Sequence, residues 1–129
     1  MKLALAIAVS AVAVFVVSSI WYVVFAAQRK AFVPDAAGGD ERPAPWKAAL
    51  ELLRSALVAS VMAGLAVHLS ADSVGEVVLL GLTLFVGFPF VLLTGSVIWD
   101  NVNWRLAAIH AGDWLLKLLV ISVVVGLFR

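Results

Sequence analysis

LAAIHAGDWLLKLLVISVVVGLF, Leu106 to Phe128, is an almost unbroken apolar run that nevertheless holds His110, Asp113 and Lys117 at spacings of three and four. A bilayer hydrocarbon core is about 30 Å thick and takes about 20 helical residues to cross, so the run is long enough to span it. At ~1.5 Å per residue from Arg105, His110 lies roughly 8 Å in, Asp113 roughly 12 Å and Lys117 roughly 18 Å, near the bilayer middle. A lone acid or amine at that depth costs about 2.5–3.5 kcal/mol on insertion scales. Something must therefore shelter these groups.

The rest of the chain explains where the run belongs. The 129 residues are 64% hydrophobic and 13% charged, with a mean hydropathy of +1.12, and a soluble domain of this size cannot cover so much apolar surface. Leu3–Ala27 carries no charge, Leu50–Leu69 carries Glu51 and Arg54 at its start, and Val74–Ile98 carries only Glu76. The fold expected is all-α: a single domain over 1–129, an integral membrane bundle of four transmembrane helices at about 3–27, 46–69, 74–98 and 105–128. Continuous rather than alternating apolar runs argue against closed strands. The first run exceeds the ~7–15 apolar residues of a secretory leader and is read as a helix. A net charge of +1 gives no support to a nucleic-acid partner, and the absence of cysteine removes disulfides and thiolate metal sites.

The connections set the order. QRKAFVPDAAGGDERPAP, residues 28–45, is read as a flexible loop from its Gly pair and prolines, with Pro45 suited to a first helical turn. Ser70–Ser73 makes a short link, so helices two and three are expected as a tight hairpin, with Ser73 and Glu76 forming a capping box. Asn103 or Asp100 is placed to cap helix four. Arg29, Lys30, Arg42, Lys47, Arg54 and Arg105 fall on the side of the long loop, against Lys2 and Arg129 on the other. The positive-inside rule then makes the loop cytoplasmic and both termini extracytoplasmic. Trp21, Tyr22, Trp46, Trp99 and Trp104 fall at the same helix ends, as one interfacial belt requires. Ala4 and Ala8, four apart, with Ser18-Ser19 deeper in, suit close packing of helix one within the bundle or against a neighbouring copy. Pro89 should kink helix three and release the Phe85 carbonyl for Thr83, Thr94, Ser96 or a neighbouring helix to satisfy.

The costly residues form one stripe. At 100° per residue His110, Asp113, Trp114 and Lys117 share about a 100° arc, and the stripe ends at Ile121 and Val124. Asp113 and Lys117 are in the favourable order for an i,i+4 pair. Helix two offers Glu51 and Arg54 at similar depth. Together the four charges sum to zero, which suits burial better than any unpaired charge. Such a candidate cluster cross-links helices two and four, lines a cavity for a proton, an ion or a small polar ligand with His110 beside it, or meets another subunit, and Arg54 can instead snorkel to the interface with Glu51. His68, Asp72 and Glu76 are a weaker set: the turn breaks one-face geometry, so no metal is expected there, and no cofactor either. No nucleophile–base constellation or phosphate loop is present, so an enzyme is not expected.

From Trp21-Tyr22 through GFPFVLLTGSVIWDNVNWRLAAIHAGDWLL the chain resembles a family of small bacterial inner-membrane proteins catalogued as domain of unknown function 1761. The likeness rests on the Trp-Tyr pair, on Trp99 and Trp104-Arg105-Leu106, and on Ile109-His110-Ala111-Gly112. It departs at Val23-Val24, where such proteins commonly have proline, and at Asp113, where a Tyr-like residue is usual. The resemblance implies a four-helix, multi-pass protein of the bacterial inner membrane and no particular activity. Residues and resemblance together give the expectation of a structural or interaction protein, a self-associating bundle or accessory subunit whose partners are the lipid bilayer and a homo-oligomer or another membrane protein. The alternative is a proton- or ion-coupled transporter or channel formed by an oligomer, using His110, Asp113 and Lys117.

Overall fold

A computed structural model describes residues 2–32 and 45–129. The chain runs α1 (Lys2–Val24), α2 (Ala26–Phe32), α3 (Pro45–His68), α4 (Val74–Gly87), α5 (Pro89–Trp99) and α6 (Trp104–Phe128), with no strand among the described residues. Four helical lengths are long and apolar enough to cross a membrane: Lys2–Val24, Pro45–His68, Val74–Trp99 and Trp104–Phe128. These are the four spans expected.

The boundaries differ where helicity and apolarity part company. The loop expected over 28–45 begins as helix, because α2 follows α1 with only Phe25 between them. Phe25 N–H donates to Trp21 O at 3.0 Å and Arg29 N–H to Phe25 O at 2.9 Å, so the helical ladder crosses the junction. Ala, Gln, Arg and Lys are strong helix formers, and a helix does not stop where its apolar run stops. Residues 33–44, including Arg42 and most of the expected loop, lie outside the described residues.

Pro89 does more than kink its helix. It separates α4 from α5, with Phe88 at φ −123° and ψ −77° between them. The hydroxyls expected to reach the freed Phe85 carbonyl bond elsewhere: Thr83 to Leu79 O, Thr94 to Val91 O and Ser96 to Leu92 O. Each hydroxyl takes a carbonyl within its own preceding turn, which is nearer than one across a break.

Helix α6 is the centre of the bundle. Helices α1, α4 and α5 pack on it, α3 packs chiefly on α1, and α3 touches α6 lightly. Helices α3 and α4 barely meet despite their short link, so the expected tight hairpin does not form; α4 turns away to pack on α6. The contacts are built from small side chains: Ala6, Ser10, Ala11, Val14 and Ser18 on α1, and Ser55, Ala59, Ala63 and Ala66 on α3. Ser18 packs within the bundle, whereas Ala4 and Ala8 are exposed and take no part in the bundle's own contacts. Lipid tails are as apolar as the helices, so association relies on close packing rather than on hydrophobic exclusion. Gly81 shows how close: a Cβ there would meet the Ser122 hydroxyl and lie 3.3 Å from the Leu118 carbonyl of α6.

Caps hold the turns. Ser73 accepts from Glu76 N–H at 3.2 Å, while the Glu76 carboxylate accepts from Asp72 N–H at 2.9 Å, one residue before the usual capping-box position. Asn103, not Asp100, caps α6, accepting from Arg105 N–H at 2.9 Å. At the end of α3, Ala71 N–H donates to Ala66 O and Ser70 N–H to Val67 O, with Ser70 at φ 54°. That is a Schellman ending with serine where glycine is preferred. Ser70→Gly should therefore stabilise the protein by about 0.5–1 kcal/mol, read as a raised Tm in detergent, since Ser70 is exposed and its side chain supports no packing.

Candidate functional site

Helices α3 and α6 meet around Lys117. The i,i+4 spacing on α6 puts its ammonium 3.2 Å from Asp113 Oδ2, and α3 brings Glu51 Oε1 to 3.3 Å on the other side. Arg54, one turn along α3, closes on Glu51 Oε2 at 2.7 Å. Lys117 Nζ also stands 5.2 Å from the centre of the Trp114 ring, whose π-face favours a cation. Asp113 is 2% exposed and Lys117 8%, whereas the Arg54 side chain is 58% exposed. The charge therefore grades outward, from a buried pair through Glu51 to an accessible guanidinium.

Helix α1 supplies what the charges alone do not. Ser18 Oγ donates to Asp113 Oδ1 at 2.5 Å, so both carboxylate oxygens are occupied. One turn further on, the Tyr22 hydroxyl meets His110 Nδ1 at 2.7 Å. Ser18 and Tyr22 are four apart on α1 and face Asp113 and His110, three apart on α6. A continuous ionic chain results, Asp113, Lys117, Glu51 and Arg54, with Ser18 on its Asp113 end and the Tyr22–His110 pair one turn away. A charge-bearing hydrogen bond in so dry a place is shorter and stronger than a neutral one, and the pairing offsets the cost of burial.

All five expected cluster residues are thus found in one neighbourhood, but not as a two-helix cross-link. The link runs mainly between α1 and α6, with α3 joined through Glu51 alone. Ser18 and Tyr22 were not singled out as partners of Asp113. The available signal was their own i,i+4 spacing on an otherwise charge-free helix, at the depth of the α6 stripe.

The aromatic residues divide. Trp46 is 64% exposed, Trp99 82% and Trp104 64%, at the ends of their helices as an interfacial belt needs. Trp21 and Tyr22, expected in the same belt, are half-buried against α6 instead. Trp21 Nε1 donates to Ile109 O at 2.9 Å, and its ring edge lies directly over Gly112. The aromatic pair turns inward because α6 offers partners there for the indole N–H and the phenol. At the opposite end of the bundle Arg129 donates to Ala71 O at 3.0 Å and to Asp72 Oδ1 at 2.9 Å. Asp72 and Glu76 are thereby engaged with an arginine and a backbone amide, and among the described residues no three acid or histidine side chains converge to hold a metal.

Four apolar spans, small-residue contacts and one sheltered ionic chain define a multi-pass membrane protein of the helical-bundle class. The chain belongs to the family described as "Protein of unknown function (DUF1761)", whose model matches residues 5–126. No curated protein and no solved structure matches it.

Gly112 tests the inward setting of Trp21. A Cβ at position 112 would run into the Trp21 ring, so Gly112→Ala should destabilise the protein by about 1–3 kcal/mol through overpacking. Adding Trp21→Phe should recover part of that loss. Thermal melts of both single variants and the double variant would show this as non-additivity.

Proposed function

We propose that the protein is a structural or interaction component of the bacterial inner membrane, a bundle that associates with itself or serves as an accessory subunit, with no catalytic role. The long loop faces the cytoplasm and the termini face outward, a reading supported by Arg29, Lys30, Lys47 and Arg105 near one set of helix ends against Lys2 and Arg129 at the other. The observation that carries the proposal is the closure of the ionic chain. Lys117 lies between Asp113 and Glu51, and the other oxygen of Asp113 takes Ser18. A chain with its buried charges already matched is a latch that fixes three helices. The lipid-facing surface is broadly apolar, with Leu5, Val12, Val16 and Ile20 exposed on α1, which leaves area for a second copy or another membrane protein.

The latch makes a definite demand on variants. Lys117→Met alone should destabilise by about 3–5 kcal/mol, because it strands the buried Asp113 carboxylate, and Asp113→Leu alone by less, because Lys117 keeps Glu51; made together they should be close to neutral. Thermal melts in detergent read the first half, and complementation of a deletion strain reads whether the double variant keeps its role. The competing transporter reading demands something else: flux of protons, sodium or an anion through vesicles reconstituted with the wild-type protein. Such flux, abolished by Asp113→Asn in a protein that still melts normally, would overturn the latch.

A further inference from the structure

Beside the latch lies an open cavity of about 230 Å³ that the latch itself does not fill. Its floor is Val14 of α1, and its two sides are α3 and α6, which touch one another only lightly. Glu51, Arg54, Ser55 and Lys117 line its polar end; Leu57, Val58 and Ile121 line the rest, with Trp114 as a wall. Two features are unexplained by the protein's own contacts. Ser55 is 3% exposed and its hydroxyl has no hydrogen-bond partner, although most buried hydroxyls find one. In contrast, Ser60 and Ser122 each bond the carbonyl four residues back. The Arg54 guanidinium, with five N–H donors, has one engaged by Glu51 and remains 58% exposed.

The polarity of this cavity has a direction. Along α3 it falls from Glu51 and Arg54, nearer the helix start, to Leu57 and Val58; along α6 it falls from Lys117 to Ile121. Arg54 reaches back one turn toward the start of α3, and so toward the bilayer surface at that end, as a long basic side chain does when its stem is in hydrocarbon. A phospholipid in that leaflet has the same gradient, anionic phosphate outward and acyl chain inward. The recess as a whole is charge-matched, but Arg54 is its accessible cation, and a guanidinium between membrane helices is suited to a lipid phosphate. Glu51 does not oppose this, because its two oxygens are neutralised by Arg54 and Lys117.

We infer that the cavity between α3 and α6 is a binding site for one phospholipid of the leaflet in which these helices begin, its phosphate on the outer donors of Arg54, its ester region on the Ser55 hydroxyl, and one acyl chain against Val58, Trp114 and Ile121. The site shares Glu51, Arg54 and Lys117 with the latch, while Asp113, Ser18 and Tyr22 take no part.

The test is binding of dioctanoyl phosphatidylglycerol to the delipidated full chain in detergent, followed by native mass spectrometry, with inorganic phosphate as a parallel probe. One lipid per chain is expected. Ser55→Ala should weaken binding about 2- to 10-fold, the share of one ordinary hydrogen bond, and leave the melting temperature of the lipid-free protein unchanged, because the hydroxyl has no partner within the protein. Arg54→Gln should weaken binding by about tenfold or more, and Val58→Trp should abolish it by filling the apolar end. Lipid binding indifferent to both Ser55→Ala and Arg54→Gln would overturn the site. So would inorganic phosphate binding as tightly as the lipid, or a dimer of the chain dispersed by the same substitutions in place of a lipid. None of these results bears on the Asp113–Lys117 variants, so the site and the latch fail separately.

Discussion

An ammonium placed near the middle of a spanning helix must find anions there, and this requirement organises the bundle. Lys117 cannot face hydrocarbon unpaired at a tolerable cost, and its buried position beside Asp113 and Glu51 obliges α6 to lie between other helices. The burial then spreads along the same helix, since Leu118, Ile121 and Val125 follow the lysine into the core. One pairing on α6 thereby sets which helix is central, which face of α1 carries serine and tyrosine inward, and where α3 can approach.

The other half of the bundle is held by a different force. Beyond Ile121 the stripe of α6 carries no charge, and the contacts are close approaches of backbone and small side chains. A Cβ at Gly126 would stand 2.7 Å from the Val74 Cα, and one at Gly81 would meet Ser122. Packing of this kind gains dispersion over many atoms and needs no water to be expelled. Arg129 ties that end by bonding the Ala71 carbonyl and Asp72 in the link between α3 and α4. The molecule is thus latched by charge in one leaflet and by fit in the other, with the break at Phe88–Pro89 letting the third span follow α6 through both.

Sequence alone was enough for the spans, because length and apolarity are local properties and the lipid environment admits few alternatives to a helix. Local capping chemistry was equally readable: Ser73 and Asn103 act as their types and positions suggest. Packing was not. Helix α1 is apolar on every side, so nothing in its composition says that Ala6 and Ala11 face inward while Ala4 and Ala8 do not. The short link after α3 suggested a hairpin, yet α4 packs on α6 because Gly81 and Ser122 permit a closer approach there. Glu51, Arg54, Asp113 and Lys117 were readable as a cluster from depth and charge balance. Ser18 and Tyr22 were not, since a hydroxyl on a span is as often bonded to its own helix, as Ser19 is to Phe15 O.

Those failures share one cause, and it bears on why the ionic chain exists. In water a helix is oriented by the contrast between its faces; in lipid an apolar helix has no such contrast and can turn about its axis at little cost. The four spans of this chain are apolar nearly all round, so small-residue packing alone offers several rotational settings of similar energy. Directional bonds that pair Tyr22 with His110 and join Ser18, Asp113, Lys117 and Glu51 admit only one. Replacing it with hydrocarbon of equal volume would leave the bundle about as stable but would remove the reason for α1, α3 and α6 to keep their present faces together. Uniqueness of arrangement, rather than strength, is what the buried charges contribute.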